Sequence, residues 1–453
     1  MEIFGSSGVR GLVEDRMTPE FVVRVARGAA SVWDADRVAI ARDTRTTGRA
    51  FCDLAAGAVA RAGADVDRLG VTPTPAVARY CERAGVPAVL ITASHNPPEY
   101  NGIKLVGADG IELPVGELER IEDAIEDRAF TSAAWDETGT SRRIETANDD
   151  YVEGLLASID RESIAAADLT VAIDPGNGAG ALTSPAFYRR LGCDVVTVHA
   201  TPDGRFPGRP PEPVPEHLDD LKRLVVAADA DLGIAHDGDA DRAIFVDETG
   251  RYIEGDASLA ALADRALGFD DRTVAAVNVS QRLVDVCVDA GAKLELTPIG
   301  ATHIITRTRE LRAAGHDVPI AGEGNGGVFF PDYRLVRDGA YIGAKFLELV
   351  ADRPASEIVE PFRAYHNVRR NLTYDADDER DAMLAAAEQY AESVTDAELS
   401  TIDGYRLDYG DAWVLVRPSG TEPKIRIYAE ARDSDRARSL ADAVEDAVLD
   451  GGR

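Results

Sequence analysis

Three aspartates spaced two residues apart, Asp237, Asp239 and Asp241, could bind a metal ion. In a loop, carboxylates at positions i, i+2 and i+4 can converge on one side, where they repel each other unless a cation lies between them. Oxygen ligands favour Mg²⁺, Mn²⁺ or Ca²⁺ over Zn²⁺. A calcium-binding helix–loop–helix would need glycine at the sixth position, where Arg242 stands, and both flanking segments have the composition of strands. A magnesium site is the better interpretation, and a solvated acidic turn is the alternative.

A candidate nucleophile lies in the segment Thr92-Ala93-Ser94-His95-Asn96-Pro97, directly after an apolar stretch. A serine hydroxyl is a weak nucleophile and needs a base or a metal ion beside it. His95 is adjacent to Ser94, and Lys104 follows ten residues later. Because serine, asparagine and proline also favour turns, a simple turn is the alternative interpretation of this segment.

The glycine-rich segment Gly322-Glu323-Gly324-Asn325-Gly326-Gly327 could bind a polyol. Its glycines let the backbone approach a ligand closely, and the carboxylate of Glu323 and the amide of Asn325 could bind hydroxyl groups. The apolar residues that follow do not open a helix, so a dinucleotide-binding fingerprint is not indicated. A plain hairpin turn stays open as the alternative.

A fourth polar segment, Arg417-Pro418-Ser419-Gly420-Thr421-Glu422-Pro423-Lys424, has the composition of a phosphate-binding loop. An arginine, two hydroxyl groups and exposed loop N–H groups can surround a phosphate. Lys424 is one of only five lysines in the chain, which argues against its being a chance surface residue. A solvated charged loop is the competing interpretation. Together, the four segments supply a nucleophile, a metal site, a polyol binder and a phosphate site.

Short apolar strands that alternate with helical stretches must position these segments. The expected strands are 37–41, 88–91, 170–173, 232–235, 274–277 and 318–321. Two further polar motifs follow such strands, Arg42-Asp43-Thr44-Arg45 and Asp174-Pro175-Gly176-Asn177-Gly178. Strands alternating with helices predict α/β sheets, in which ligands bind beyond the carboxyl ends of the strands. Thr18 and Pro19 predict the start of one helix, and 440–448 carries the apolar spacing of another.

The charge of the chain excludes several classes of partner. The 453 residues include 80 acidic and 49 basic ones, for a net charge of −31. This charge repels nucleic acids and anionic membranes, and it is typical of proteins from a salt-rich cytoplasm. No apolar segment is long enough to cross a membrane, and we expect no signal peptide. Four dispersed cysteines indicate reduced thiols. We therefore expect a halophilic, cytoplasmic protein.

The chain resembles the α-D-phosphohexomutase superfamily, which includes phosphoglucomutases, phosphomannomutases and phosphoglucosamine mutases. The resemblance is carried by the opening Phe4-Gly5-Ser6-Ser7-Gly8-Val9-Arg10-Gly11, by Ala41-Arg42-Asp43-Thr44-Arg45 and by the four segments in family order. The form Glu-Gly-Asn-Gly-Gly is similar to archaeal members. The resemblance implies three related α/β domains with mixed sheets and a smaller C-terminal α+β domain around a central cleft. We expect these domains at 1–145, 146–254, 255–368 and 369–453.

The resemblance also implies roles for individual residues. Ser94 would carry the phosphoryl group and share one Mg²⁺ with the aspartates, and a sugar 1,6-bisphosphate would serve as intermediate and activator. Arg10 and Arg242 would act beside Ser94, with His95 or Lys104 as the general base. The remaining expected site residues are Glu323 and Asn325 for the sugar and Arg417, Ser419, Gly420, Thr421 and Lys424 for the phosphate that is not transferred.

The expected activity is the interconversion of hexose 1-phosphates and 6-phosphates, with glucosamine, mannose and glucose as candidate sugars. Three alternatives are a phosphopentomutase on the same scaffold, a sugar-phosphate-binding protein without turnover, and a metal-dependent phosphatase. We expect sugar phosphates as the only partners, with no nucleic acid and no membrane, and a monomer or homodimer as the oligomeric state.

Overall fold

The computed structural model describes residues 3–5, 8–419 and 423–451. The chain forms two compact units. The first comprises Met1–Ser258 and Asn325–Val359, and the second Leu259–Gly324 and Glu360–Arg453. Within the described ranges, no helix combines the length and the apolar character that crossing a bilayer requires.

The first α/β sheet begins the first unit. Its elements are β1 (Val9–Leu12), α1 (Pro19–Trp33), β2 (Arg37–Arg42), α2 (Gly48–Ala62), β3 (Asp65–Val71), α3 (Thr74–Ala84), β4 (Ala88–Ile91), β5 (Tyr100–Val106), α4 (Val115–Glu126) and β6 (Ser141–Arg143). The strand order is β1-β5-β4-β2-β3-β6. Strands β4, β2, β3 and β6 run parallel, whereas β5 is antiparallel to β4 and to β1. The predicted mixed sheet is therefore confirmed.

Helix α1 illustrates how the local sequence forms these elements. The Thr18 side chain accepts a hydrogen bond from the N–H of Phe21, and Pro19 occupies the first turn, as the sequence predicts. The face containing Val22 and Val25 is buried against α2 and α4 in the core of this sheet.

The second sheet also lies in the first unit. Its elements are α5 (Ala147–Leu156), α6 (Arg161–Ala166), β7 (Thr170–Asp174), α7 (Ser184–Leu191), β8 (Asp194–Thr197), α8 (Asp219–Ala227), β9 (Leu232–Ala235), β10 (Ile244–Asp247) and β11 (Tyr252–Ile253). The strand order is β11-β10-β9-β7-β8, with β8, β7 and β9 parallel. The proline-rich segment 202–214 forms neither helix nor strand, because its prolines cannot donate backbone hydrogen bonds.

The third group of elements continues the α/β pattern. It comprises α9 (Gly255–Ala266), β12 (Arg272–Ala276), α10 (Gln281–Ala290), β13 (Lys293–Thr297), α11 (Ala301–Ala313) and β14 (Ile320–Glu323). Strand β12 pairs in parallel with β13 and β14. Strand β14 begins two residues later than the sequence predicts, since Pro319 has no N–H for a ladder. The next elements, β15 (Gly327–Phe329), α12 (Gly339–Val350) and α13 (Ala355–Val359), belong to the first unit.

The last sheet lies in the second unit and is entirely antiparallel. Its elements are β16 (His366–Thr373), α14 (Asp377–Ser393), β17 (Glu398–Ser400), β18 (Tyr405–Asp408), β19 (Ala412–Pro418), β20 (Lys424–Ala431) and α15 (Ser434–Gly451). The strand order is β16-β20-β19-β18-β17. The two helices pack on one another and bury Met383, Ala387, Val444 and Val448 in the core of this sheet. This arrangement is the small α+β domain that the resemblance implies.

The loops that follow β4 and β9 meet in the first unit, and their approach requires a glycine. A Cβ atom added to Gly238 would lie 2.5 Å from the carbonyl oxygen of Ser94. Both the loop of Ser94 and the loop of the aspartates would therefore have to separate if residue 238 carried a side chain.

We predict that Gly238→Ala lowers the midpoint of thermal unfolding. The added methyl group would clash with backbone atoms, and overpacking of this kind destabilises the folded state by about 1–3 kcal/mol. Gly57→Ala is the matched control, since a Cβ at this position of α2 would meet nothing within 4 Å. Alanine there should raise the midpoint, because it is the better helix former. A Gly238→Ala variant as stable as the wild type would contradict this account of the contact.

His199 connects two carboxylates in the second sheet region. Its Nδ1 lies 3.3 Å from Oδ1 of Asp174, and its Nε2 lies 3.1 Å from Oδ2 of Asp220. The hydrogen bond to Asp174 raises the pKa of His199, although burial and the charge of Arg209 act in the opposite direction. The protonated imidazole therefore stabilises the folded state.

This stabilisation should be complete below the pKa of an unfolded histidine, about 6.5, and should be lost as the pH rises through the higher folded value. We predict that His199→Gln loses more stability at about pH 6 than at about pH 8.5. Urea unfolding at both values measures the difference, and the exposed His366→Gln serves as control. An equal loss at both values would exclude a charged His199.

Candidate active site

Ser94 is held at the end of β4 in a conformation that is unusual for serine. Its φ is +52°, in the left-handed region, and its N–H donates to Oγ1 of Thr92 at 2.9 Å. The side chain is fully buried, and its Oγ donates to Oδ2 of Asp237 at 2.7 Å. The structure therefore brings the predicted nucleophile and the first predicted metal ligand into direct contact.

The three aspartates converge in the loop after β9, as their spacing predicts. All are fully buried, and one carboxylate oxygen from each lies within 4.8 Å of the others. Lys104, on β5 of the neighbouring sheet, donates to Oδ2 of Asp239 at 2.8 Å and to Oδ2 of Asp241 at 2.7 Å. The ammonium group offsets part of the negative charge that would otherwise oppose this arrangement.

Two arginines complete the charge balance of the cluster. Nε of Arg242 lies 3.8 Å from Oδ2 of Asp237 and 3.9 Å from Oδ1 of Asp241. Arg337, which the sequence analysis did not identify, donates to Oδ2 of Asp241 at 2.7 Å and lies 3.7 Å from Glu112. Both arginine side chains are buried. The acidic loop is therefore surrounded by cations from three different parts of the chain.

Burial and charge set the protonation of the cluster. Burial and the neighbouring Asp241 and Asp239 raise the pKa of Asp237. Burial also acts to raise the pKa of Asp241, but the charges of Arg337 and Lys104 outweigh it, so the pKa of Asp241 is lowered. Lys104 would lose its proton more easily through burial, but the charges of Asp239 and Asp241 raise its pKa.

His95 lies beside Ser94 and contacts Arg10. Nδ1 of His95 is 3.4 Å from Oγ of Ser94 and 3.5 Å from Nη1 of Arg10. Because a guanidinium can only donate, this contact suits an Nδ1 without a proton. Burial and the charges of Arg242 and Arg10 lower the pKa of His95, which favours the neutral imidazole.

The aspartate loop fits a divalent cation. Oδ1 of Asp239 and Oδ1 of Asp241 are buried and find no hydrogen-bond donor among the described residues. Buried carboxylate oxygens without partners are costly unless a cation or a donor is bound. An all-oxygen donor set of this kind suits Mg²⁺ rather than Zn²⁺.

The predicted sugar-binding residues lie at the end of β14 and in the turn that follows. Glu323 is the last residue of β14 and is 8% exposed. Oδ1 of Asn325 accepts from the N–H of Gly327 at 3.0 Å, which closes the turn into β15. Within the first unit, this turn contacts the residue that follows Arg242. The N–H of Ala243 donates to the carbonyl of Gly326 at 3.1 Å.

Of the predicted phosphate-binding residues in the second unit, Arg417 lies in β19, Ser419 follows that strand, and Lys424 begins β20. Nε of Arg417 donates to Oδ1 of Asp403 at 2.9 Å, and the N–H of Ser419 donates to the carbonyl of Lys424 at 2.8 Å. Asp403 also accepts from the N–H of Ile299 at 3.0 Å through its Oδ2. Gly420 and Thr421, the other two predicted phosphate ligands, lie outside the described residues.

Besides Arg337, sequence reasoning missed Thr74 and Glu112. Thr74 follows β3 and donates from Oγ1 to Oδ2 of Asp239 at 2.6 Å. Its position after a strand was the available signal, because ligands bind beyond strand ends in such sheets. Glu112, 3.9 Å from Lys104, had no comparable signal in the sequence.

Comparisons with known proteins match most of the chain. Models of the phosphoglucomutase/phosphomannomutase family match alpha/beta/alpha domain I at 1–132, domain II at 149–250, domain III at 254–365 and the C-terminal domain at 369–447. The four-domain architecture implied by the resemblance is therefore confirmed.

Relatives of full length agree with these matches. The chain is 39% identical over 454 residues to a probable phosphoglucosamine mutase of Methanopyrus kandleri, which covers 98% of this chain and 97% of the relative. It is 37% identical over 447 residues to a phosphoglucomutase/phosphomannomutase of Thermococcus kodakarensis, with 96% of each covered. A crystal structure of a phosphoglucomutase/phosphomannomutase family protein from Burkholderia thailandensis has a TM-score of 0.84 at 26% identity, covering 99% of this chain and 97% of that one.

These matches exceed what a shared fold alone would give, because they combine all four domain models with full-length sequence identity above one third. The expected class of enzyme, an isomerase that acts as a phosphosugar mutase, is confirmed. This chain belongs to the phosphoglucomutase/phosphomannomutase family.

Proposed function

We propose that this protein interconverts hexose 1-phosphates and 6-phosphates through a phosphorylated Ser94. The observation that carries the proposal is the 2.7 Å contact between Oγ of Ser94 and Oδ2 of Asp237 inside a buried cluster of three aspartates. A serine directly beside a metal-binding set of oxygens is suited to receive and release a phosphoryl group.

We propose one Mg²⁺ per chain, bound by Asp237, Asp239, Asp241 and the phosphorylated Ser94. The bound ion would neutralise charge on the transferring phosphoryl group. The Oδ1 atoms of Asp239 and Asp241 accept no hydrogen bond within the described part of the chain, which supports this assignment. Arg242 and Arg10 would stabilise the remaining charge of the phosphoryl group from within the same cluster, as their positions beside Asp237 and His95 suggest.

Proton transfer needs a group that takes a proton from the sugar hydroxyl and later returns one. His95 and Lys104 are the two candidates. The contacts favour His95, because its Nδ1 faces Ser94, while the Nζ of Lys104 donates to two aspartates. The phosphoryl group would move from Ser94 to the free hydroxyl, and the other phosphate of the resulting bisphosphate would return to Ser94 after the sugar reorients.

The remaining site residues would bind the substrate. Glu323 and Asn325 would bind sugar hydroxyl groups, and five residues within the segment 417–424 would bind the phosphate that is not transferred. Those five are Arg417, Ser419, Gly420, Thr421 and Lys424. In this proposal, domains at 1–145, 146–254, 255–368 and 369–453 each contribute one of these groups of residues.

The names of the relatives support a hexose substrate, with glucosamine, mannose and glucose phosphates as the candidates. A sugar 1,6-bisphosphate would be needed to prime Ser94. The net charge of −31 and the free cysteines support a cytoplasmic enzyme, which we propose to be a monomer or homodimer acting on small sugar phosphates.

We predict that Ser94→Ala abolishes the conversion of every hexose phosphate that the wild type converts, because no phosphoryl carrier is left. The measurement is an isomerisation assay in high salt with Mg²⁺ and a bisphosphate primer. Glucosamine, mannose and glucose 6-phosphates test the proposal, and ribose 5-phosphate tests the pentose alternative.

Mass analysis of the peptide that contains Ser94 should show one added phosphoryl group in the wild type. The control Ser158→Ala changes an exposed serine outside the proposed site, keeps Ser94 and should still accept that group from the primer. Release of inorganic phosphate in place of isomerisation would indicate a phosphatase. Full activity of Ser94→Ala would exclude the proposed route.

We predict that Asp241→Asn weakens Mg²⁺ binding by more than about tenfold, because it removes one charged ligand from the buried set. The readouts are titration calorimetry and the rise in unfolding midpoint that Mg²⁺ gives to the metal-free protein. Asp219→Asn, whose side chain is 70% exposed on α8, should leave both unchanged.

Chelation of the wild type should abolish turnover, and added Mg²⁺ should restore it. Equal Mg²⁺ binding by the wild type and Asp241→Asn would place the metal elsewhere.

A further inference from the structure

Two polar motifs that follow strands, 42–45 and 174–178, have no part in the proposed chemistry, yet each supplies the aspartate of a buried aspartate–arginine pair. In the first sheet, Asp43 follows β2, and its Oδ2 accepts from Nε of Arg45 at 3.0 Å. In the second sheet, Asp174 ends β7, and its Oδ2 accepts from Nε of Arg209 at 2.7 Å. All four side chains are at most 2% exposed.

Arg45 binds the loop that contains Ser94 at four carbonyl groups. Its Nη2 donates to the carbonyls of Ser94 at 3.0 Å and Asn96 at 2.5 Å. Its Nη1 donates to the carbonyls of Pro97 at 2.6 Å and Tyr100 at 2.9 Å. Four donors of the guanidinium group bind this loop and the fifth, at Nε, binds Asp43, so no donor is left for a substrate.

The hydrogen bonds from Arg45 offset the free-energy cost of the backbone conformation of Ser94. A non-glycine residue in the left-handed region, such as Ser94 at φ +52°, is less stable by about 1–2 kcal/mol. Arg45 donates to the carbonyl of Ser94, and Oγ1 of Thr92 accepts from the N–H of Ser94. The same Thr92 hydroxyl donates to Oδ2 of Asp43 at 2.7 Å. The pair and Thr92 thus hold both backbone groups of the nucleophile.

Arg209 occupies the corresponding position beside the aspartate loop. Its Nη2 donates to the carbonyl of His236 at 2.7 Å, one residue before Asp237. Nδ1 of His236 lies 2.8 Å from the carbonyl of Arg242, so the loop is closed at both ends. Gly176 must be a glycine here, since a Cβ would lie 2.8 Å from Cζ of Arg209.

The two pairs have the same place in their sheets. Strand β2 lies beside β4, whose loop contains Ser94, and β7 lies beside β9, whose loop contains the aspartates. Each pair therefore joins the end of one parallel strand to the functional loop at the end of its neighbour. Phe206, from the proline-rich segment, covers Arg45 with its ring centroid 5.2 Å from Cζ and excludes water from the first pair.

We propose that these pairs are two separate positioning devices, Asp43–Arg45 for the nucleophile Ser94 and Asp174–Arg209 for the metal-binding loop. The inference rests on the proposed function, since it assigns the pairs to the phosphoryl carrier and the Mg²⁺ ligands of that mechanism. Salt bridges that only stabilise the fold would affect stability alone. The Asp43–Arg45 pair should instead affect phosphate transfer to Ser94, and the Asp174–Arg209 pair should affect Mg²⁺ binding.

Arg45→Lys and Arg209→Lys test the proposal, because lysine keeps the positive charge but cannot reach several carbonyls in different directions. At saturating Mg²⁺, Arg45→Lys should slow the transfer of phosphate from a bisphosphate to Ser94 in a single turnover. We expect a loss of about 100-fold, the size associated with misplacing a reacting group by 1 Å. Its kcat should fall equally, with KM for the sugar phosphate and Mg²⁺ binding close to those of the wild type.

Arg209→Lys should give the opposite pattern. We expect Mg²⁺ binding, measured by calorimetry, to weaken by about 10-fold, which is typical for loss of a residue that orients a metal ligand. Phosphate transfer to Ser94 should recover when Mg²⁺ is raised to saturation. Arg406→Lys is the control, since Arg406 is a buried arginine of the second unit that donates to the carbonyls of Val277 and Val279. Arg406→Lys should lower the stability of the protein but should not selectively slow phosphate transfer to Ser94 or weaken Mg²⁺ binding.

The same pattern in both lysine variants, or loss of stability alone, would overturn the inference. If Arg45→Lys does not fold, Asp43→Asn replaces it, with a smaller loss in the same transfer step expected and an unchanged rate contradicting the proposal. A wild type that never acquires phosphate on Ser94 would instead refute the proposed function, so the two failures are distinguishable.

Discussion

Three carboxylates buried in one loop are the constraint on which the active-site region depends. Asp237, Asp239 and Asp241 are fully buried within 4.8 Å of each other, an arrangement that like charges oppose strongly in a medium of low polarity. The compensating cations come from elsewhere in the first unit, Lys104 from the first sheet and Arg337 from the segment before α12. Charge compensation therefore favours the packing of these segments around the aspartate loop.

The position of the cations also explains how the site can accept a metal ion. Lys104 and Arg337 donate to Oδ2 atoms, whereas the Oδ1 atoms of Asp239 and Asp241 are left without donors among the described residues. One edge of each of these carboxylates is thus fixed by protein, and the other is available. Fixed ligands lose little freedom when an ion binds, which preorganises the site.

The geometry of parallel strands determines where the chemistry takes place. Ser94 follows β4 and the aspartates follow β9, so both loops leave the carboxyl ends of central strands in their sheets. Gly238 lets the two loops touch through their backbones, at a distance that no side chain would permit. Two buried arginines then bind the carbonyls of the loops and limit their movement. The loops that follow β4 and β9 are therefore held in place by the strands they leave and by the buried aspartate–arginine pairs beside them.

The sequence by itself determined the elements and the reactive segments. Strands β4 and β9 begin and end where the apolar patterns predict, because strand formation there follows from residues that are adjacent in the chain. The spacing of the aspartates predicted their convergence, since a short loop leaves few other arrangements. The family resemblance, which joined motifs over the full length, predicted the four domains.

Only the tertiary structure decided which groups neutralise the aspartates and which hold the nucleophile. Arg337 meets Asp241 across 96 residues of sequence, and Thr74 meets Asp239 across 165. No local pattern marks such contacts, because they depend on how separate strands and helices pack. Arg45 was visible as part of a motif, but its four carbonyl partners became apparent only when β2 and β4 were placed side by side. Local composition specifies what a loop can do, and long-range packing specifies what it contacts.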